Sequence, residues 1–161
     1  MAGKGLLRLV LEEGGPGFCQ FAINNSCNAN CGFCNFARDV FPRERWTHVG
    51  RDPALESLDI LYRNGVRYLV ITGGEPTLHP HLAEIAKHGA DLGMKMMLVT
   101  NGSLLKPKRV RHLVDSGISS FIISIDAADR EAHEANRGLP GVCERIRVAN
   151  ASKASIDVSR S

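Results

Sequence analysis

Residues 26–34 read SCNANCGFC and place three cysteines, Cys27, Cys31 and Cys34, four and three positions apart. Thiolates at these intervals can wrap one face of a compact metal centre with no secondary element between them. Asn28, Ala29, Asn30 and Gly32 are the small or turn-prone residues that a tightly folded ligand loop requires. A closed structural zinc site takes four ligands, and a self-contained iron–sulfur carrier takes four cysteines. Three leave one coordination position open. The competing reading is a zinc knuckle completed by Cys19 or His48, against which a strand would separate Cys19 from the loop.

Other stretches carry chemistry too. GGEP, Gly73 to Pro76, has two glycines that let a backbone approach a ligand, and Glu75 offers an acceptor for a cationic amine. Its ordinary reading is a strand-to-helix turn with a carboxylate in the first turn. Thr100, Asn101 and Gly102 read as a turn, which Asn-Gly favours by itself. In SID, Asp126 is a candidate helix cap beside Ser124, and Arg137 in HEANRG suits bidentate carboxylate recognition or a solvated surface. Lys106, Lys108, Arg109, Arg111 and His112 form a basic run at helical spacing, most simply a solvated face. His79 and His81 read as loop residues, Cys19 as a small apolar strand residue, and Cys143 as lacking partners. Arg38, Asp39, Arg43, Arg45 and Trp46 lie where they could cover the cysteine loop.

The elements that position these residues alternate. Apolar runs predict strands over 18–24, 68–72, 96–100, 120–126 and 155–159. Between them, helices are expected from Asp52-Pro53 to Asn64-Gly65, over 81–91 and 106–117, and over 129–136 and 141–151, with 38–52 a loop. Strands alternating with helices imply a parallel sheet with right-handed crossovers, and short apolar strands suggest cover on both faces. Open doubly wound sheets and barrels both fit, and both gather ligands at the carboxyl ends of the strands. The cysteine loop, GGEP, the Asn-Gly turn and SID follow successive strands, so all four are expected on one rim.

The spacing C-x3-C-x2-C, followed one βα unit later by GGEP, resembles the radical S-adenosylmethionine (SAM) superfamily. The GGEP, SID and RG pattern is similar to the branch that contains molybdenum cofactor biosynthesis enzymes and SPASM peptide-modifying enzymes. The resemblance implies that Cys27, Cys31 and Cys34 hold three irons of a [4Fe-4S] cluster and that SAM chelates the fourth. It puts Phe33 against the adenine and the backbone at Gly73, Gly74 and Pro76, with Glu75, at the SAM amine. It further implies contacts from Asn101, ribose and carboxylate contacts from Ser124 and Asp126, and a pair between Arg137 and the SAM carboxylate. The implied chemistry is reductive cleavage of SAM to a 5′-deoxyadenosyl radical that abstracts hydrogen from a substrate the sequence does not identify, with flavodoxin or ferredoxin as electron donor. The implied fold is an α/β, partial (β/α)6 TIM-like barrel truncated near the fifth strand. Residues 1–17 would be an N-terminal extension and 18–161 an incomplete core, expected to be a fragment of a longer enzyme. The rival classes are a non-catalytic iron–sulfur protein and a zinc-stabilised interaction module.

Length and composition bound the rest. The 161 residues suit one domain, with 43% hydrophobic and 23% charged residues. A net charge of +3 is too mild to argue for nucleic acid or an anionic membrane. No apolar run approaches a membrane span, and the N-terminus lacks the pattern of a signal peptide. Five cysteines, an odd number, argue against a disulfide framework and for a reducing, cytoplasmic setting.

Overall fold

A computed structural model describes residues 15–157. Four strands form one sheet: β1 (Phe18–Ala22), β2 (Tyr68–Thr72), β3 (Lys95–Thr100) and β4 (Ile118–Ile123). They lie in sequence order and every neighbouring pair is parallel. The helices are α1 (Arg51–Arg63), α2 (Leu82–Asp91), α3 (Pro107–Asp115), α4 (Arg130–Arg137) and α5 (Val142–Asp157). Each right-handed crossover steps one strand onward in the same direction, which keeps every helix on the same face of the sheet. That is the arrangement of a barrel wall rather than of a doubly wound sheet.

The helix-side face is the core. Leu69, Ile71, Met96, Leu98 and Ile118 pack there with Leu58 of α1, Ile85 of α2 and Val110 and Leu113 of α3, all buried. Burying such side chains contributes about 1.5–3 kcal/mol each. The expected cover on both faces does not hold among the described residues. In β1, Cys19 and Phe21 turn to the core while Phe18, Gln20 and Ala22 are exposed, and Ile122 of β4 is 43% exposed. The layer of helices stands on one side only, so β1 and β3 alternate although their sequences are nearly all apolar, whereas in β2, interior to the sheet, Leu69, Val70 and Ile71 are all buried.

Two expected elements move. The fourth strand begins at Ile118 and ends at Ile123 rather than running over 120–126, with a register irregularity at Met96/Met97. Ser124 and Asp126 therefore stand beyond the strand, on the rim. The expected strand over 155–159 does not form at 155–157, where α5 continues to Asp157; residues 158 and 159 lie outside the described residues. The stretch Ala149-Asn-Ala-Ser-Lys-Ala is rich in helix formers, which extends the helix past the expected stop at 151. Of the N-terminal extension, residues 1–14 lie outside the described residues.

Candidate functional site

The cysteine loop leaves the end of β1 and folds back on itself. Cys34 N–H donates to Cys31 O (3.1 Å), Ala37 N–H to Cys34 O (3.1 Å) and Arg38 N–H to Ala29 O (2.8 Å). Asn30 closes the far side through Asp39, its Nδ2 donating to Oδ2 at 2.6 Å. Residues 47–49 return antiparallel to β1's end, Val49 N–H donating to Ile23 O at 2.8 Å. All three cysteines are free thiols, Cys27 and Cys31 buried and Cys34 half-buried.

GGEP docks on this loop. Gly74 N–H donates to Asn24 O (2.9 Å) and Glu75 N–H to Ser26 O (2.7 Å), while Asn24 Nδ2 donates back to Glu75 O (2.9 Å). A Cβ at Gly73, where φ is 138°, would stand 2.3 Å from Asn24 O, and one at Gly74 2.2 Å from Ser26 O. The close approach that both positions require is therefore to the protein's own backbone. Glu75 is 1% exposed. Its Oε1 accepts from Thr77 N–H (3.1 Å), Thr77 Oγ1 and Thr100 Oγ1 (2.8 Å), and its Oε2 from Asn101 N–H (2.8 Å). The carboxylate joins the rims of β2 and β3 and retains acceptor capacity on Oε2.

Asn101 is engaged at both ends of its amide. Nδ2 donates to Asn28 Oδ1 (2.9 Å) and Oδ1 accepts from Ser103 N–H (2.9 Å), while Asn28 Nδ2 donates to Ser103 Oγ (2.8 Å). The third rim is thereby strapped to the cysteine loop. From the fourth, Arg137 at the end of α4 donates through Nε to Asp126 Oδ2 (2.7 Å) and through a second nitrogen to Oδ1. Its backbone carbonyl accepts from Asn30 N–H (2.8 Å), and its guanidinium lies 5.7 Å from the centre of the Phe33 ring. Arg137 and Asp126, each expected to face a ligand, face each other. Asp126 is also not the cap of α4, which is Asp129, accepting from Ala132 N–H at 2.8 Å.

These loops enclose a cleft of about 80 Å³ at the carboxyl edge of the sheet. Cys27, Cys31, Cys34, Phe33, Gly74, Glu75, Asn101, Ser124 and Arg137 all line it; Gly73, Pro76 and Asp126 do not. Phe33 is 68% exposed at the mouth. Burial pushes the Cys27 thiol above its ordinary pKa, and the same holds for Cys31, where the neighbouring Arg137 pulls the other way. A metal must displace that proton. Among the described residues no three His, Cys, Asp or Glu side chains are grouped to hold a single metal ion.

Other expectations resolve individually. Cys19 packs on the core, and Cys143 packs beside the apolar cluster around Cys27 and Cys31. Arg38, Asp39, Arg43, Arg45 and Trp46 do not line the cleft: Arg38 pairs with Asp39, and Arg43 and Arg45 lie over Trp46 and Phe41. In the basic run Arg109 differs from its solvated neighbours, donating to Thr77 O. Sequence reasoning missed Thr77 and His133 as working residues, since neither carries a local signal, and read Asn28 and Thr100 only as turn residues.

A parallel βα wall with a thiol-lined cleft on its carboxyl rim defines a cofactor-binding α/β protein of the TIM-like barrel kind. The chain belongs to the radical SAM superfamily, whose family model matches residues 21–160. Members of that superfamily bind a [4Fe-4S] cluster and SAM. An AdoMet-dependent heme synthase of Methanosarcina barkeri is 34% identical over 138 residues, covering 85% of this chain and 39% of that protein. A GTP 3′,8-cyclase of Chlorobaculum tepidum is 30% identical over 115 residues, 71% of this chain and 34% of that one. The chain thus spans well under half the length of these relatives. Among solved structures, SuiB of Streptococcus suis bound to S-adenosylmethionine superposes with a TM-score of 0.66 at 24% identity, over 86% of this chain and 31% of SuiB. The GTP 3′,8-cyclase is thus a relative by sequence, whereas the likeness to SuiB is one of fold. No helix among the described residues is long and apolar enough to cross a membrane.

Proposed function

We propose that this chain carries the cluster and SAM site of a radical SAM enzyme, with residues 18–161 as its core. Cys27, Cys31 and Cys34 each hold one iron of a [4Fe-4S] cluster, and SAM takes the fourth. The observation that carries this reading is the gathering of three free thiols, from one nine-residue loop, with six further expected residues around a single cleft. The donor set fits the group. A cluster takes each thiolate on a separate iron, so its ligands need not converge on one point as a zinc site demands. The cleft's remaining walls offer no fourth cysteine.

When bound, the cluster and SAM supply reductive cleavage and a 5′-deoxyadenosyl radical for hydrogen abstraction from an organic substrate. The residues of the chain hold and orient. Phe33 offers its exposed ring to the adenine. Gly74 and the free acceptor capacity of Glu75 Oε2 suit the amine, and Ser124 the ribose. Arg137 presents its remaining donors to the SAM carboxylate. Asp126 acts through Arg137, while Gly73, Pro76 and Asn101 act by fixing the loops. A small acidic reductant such as flavodoxin or ferredoxin, in a reducing compartment such as the cytoplasm, would supply the electron.

The test is anaerobic reconstitution with iron and sulfide, then addition of dithionite and SAM. The expected result is about four irons and four sulfides per chain and 5′-deoxyadenosine as product, both lost in Cys31→Ala. Tightly bound zinc, or iron unaffected by Cys31→Ala, would sink the assignment. A full cluster with no SAM-dependent change in its electron paramagnetic resonance would favour the non-catalytic iron–sulfur reading.

A further inference from the structure

His133 is the one buried residue of α4, a helix otherwise made of polar and small side chains, and it is 1% exposed. An apolar side chain would anchor such a helix more simply. The imidazole Nδ1 instead accepts from the backbone N–H of Asp126 at 3.2 Å. That assigns the ring proton to Nε2, which has no partner. A buried donor left unpaired is costly, so a benefit elsewhere must offset it, and the acceptor at Nδ1 is the only group of the ring in use.

The backbone of Asp126 belongs to the short connection from β4 to α4. Ser124 N–H, donating to Thr100 O at 3.1 Å, holds its start, and the Asp129 cap holds its end. Between them the bond to His133 sets where Asp126 stands. Both carboxylate oxygens of Asp126 then hold Arg137, the two side chains being 17% and 13% exposed. Arg137 in turn lines the cleft with Cys31, whose thiol its charge favours in the ionised form, and lies over Phe33. A continuous set of polar contacts therefore runs from the interior of α4 to the guanidinium that lines the cleft with the second thiol.

We infer that His133 is a positioning residue for Arg137, acting through Asp126 to fix the guanidinium beside Cys31 and Phe33. What the guanidinium then serves, a cluster-bound thiolate, rests on the function proposed above. Asparagine at this position keeps an acceptor close to where Nδ1 stands, whereas phenylalanine keeps the ring and removes the acceptor.

The test uses the full chain twice. Without metal, nitrogen-15 magnetic resonance follows solvent exchange of the Arg137 Nε–H, identified by its loss in Arg137→Lys. His133→Phe is expected to speed that exchange about tenfold or more, Asp126→Asn to do the same, and His133→Asn to restore most of the protection. His133→Leu replaces the phenylalanine variant if the latter does not fold. After reconstitution, the cluster midpoint potential is expected to fall in His133→Phe as it does in Arg137→Gln, because a neighbouring positive charge stabilises the reduced cluster, and to recover in His133→Asn. A purely structural histidine would lower the melting temperature and leave both readouts unchanged. Wild-type protection of Arg137 in His133→Phe overturns the inference. If the wild type takes up no iron, the cluster reading fails while the exchange comparison still decides this one.

Discussion

Glu75 is the residue on which most of the rim depends. It receives hydrogen bonds from Thr77, Thr100 and Asn101 inside a site with almost no water access. An amide in its place must turn an N–H₂ toward one of these donors. Glu75→Gln is therefore expected to cost about 2–4 kcal/mol, read as a lower urea midpoint with unchanged slope; a loss below about 0.5 kcal/mol would mean the carboxylate does little for the fold. His79 is the second residue of this kind. Its Nδ1 accepts from His81 N–H and its Nε2 donates to Val49 O at 2.9 Å, so both nitrogens are in use by the neutral ring. Burial, with His48 and His81 adding like charge and Val49 O opposing, holds its pKa below the ordinary 6.5. A depressed pKa favours the neutral form in the fold, so the contribution is complete above 6.5 and is lost as pH falls through the folded value. The melting temperature should drop as pH falls below 6.5, and His79→Gln should flatten part of that drop. Equal slopes for the two proteins would assign the acid sensitivity elsewhere.

Among the elements, the cysteine loop has no regular structure and takes its shape from what straps it. Asn28→Ala removes the bonds to Asn101 and Ser103 at once. Hydrogen exchange over 26–38 should quicken while the core strands stay protected, with a global loss of about 1–2 kcal/mol; uniform acceleration would show that the strap stabilises the whole sheet instead. How far these elements could be read from the sequence varied with the kind of contact that makes them. Tyr68–Thr72 has the bounds its apolar run announces, because a turn signal closes it at Gly73 and Gly74. Ile118–Ile123 differs from the expected 120–126 at both ends; at its start Ser119 Oγ donates to Met96 O at 2.9 Å, a contact across strands that lets a polar residue sit within the sheet. The membership of the cleft was legible because strand ends converge in any parallel barrel wall. The pairing of Asp126 with Arg137 and the use of Glu75 and Asn101 as ties were not. Those choices depend on distances between loops up to 75 positions apart, which no local pattern encodes.

At the scale of the whole molecule, one face of the sheet is sealed by helices and the other displays apolar side chains. Phe18 of β1 and Ile122 of β4 are 39% and 43% exposed there, and exposed apolar side chains favour association. Ile122→Thr is expected to change stability by less than about 1 kcal/mol and to reduce both dye binding and concentration-dependent light scattering; unchanged scattering would place the sticky surface elsewhere. The contact between Asn30 N–H and Arg137 O has a consequence in time. The strands can pair one after another as the chain emerges, but the thiol loop waits for a carbonyl more than a hundred residues downstream. At typical synthesis rates that delay is roughly 5–20 s. Throughout it the three thiols belong to a loop not yet locked, so a nascent chain meets stray metal before it has a finished site. The final clasp by α4 ties completion of the pocket to completion of the wall that supports it.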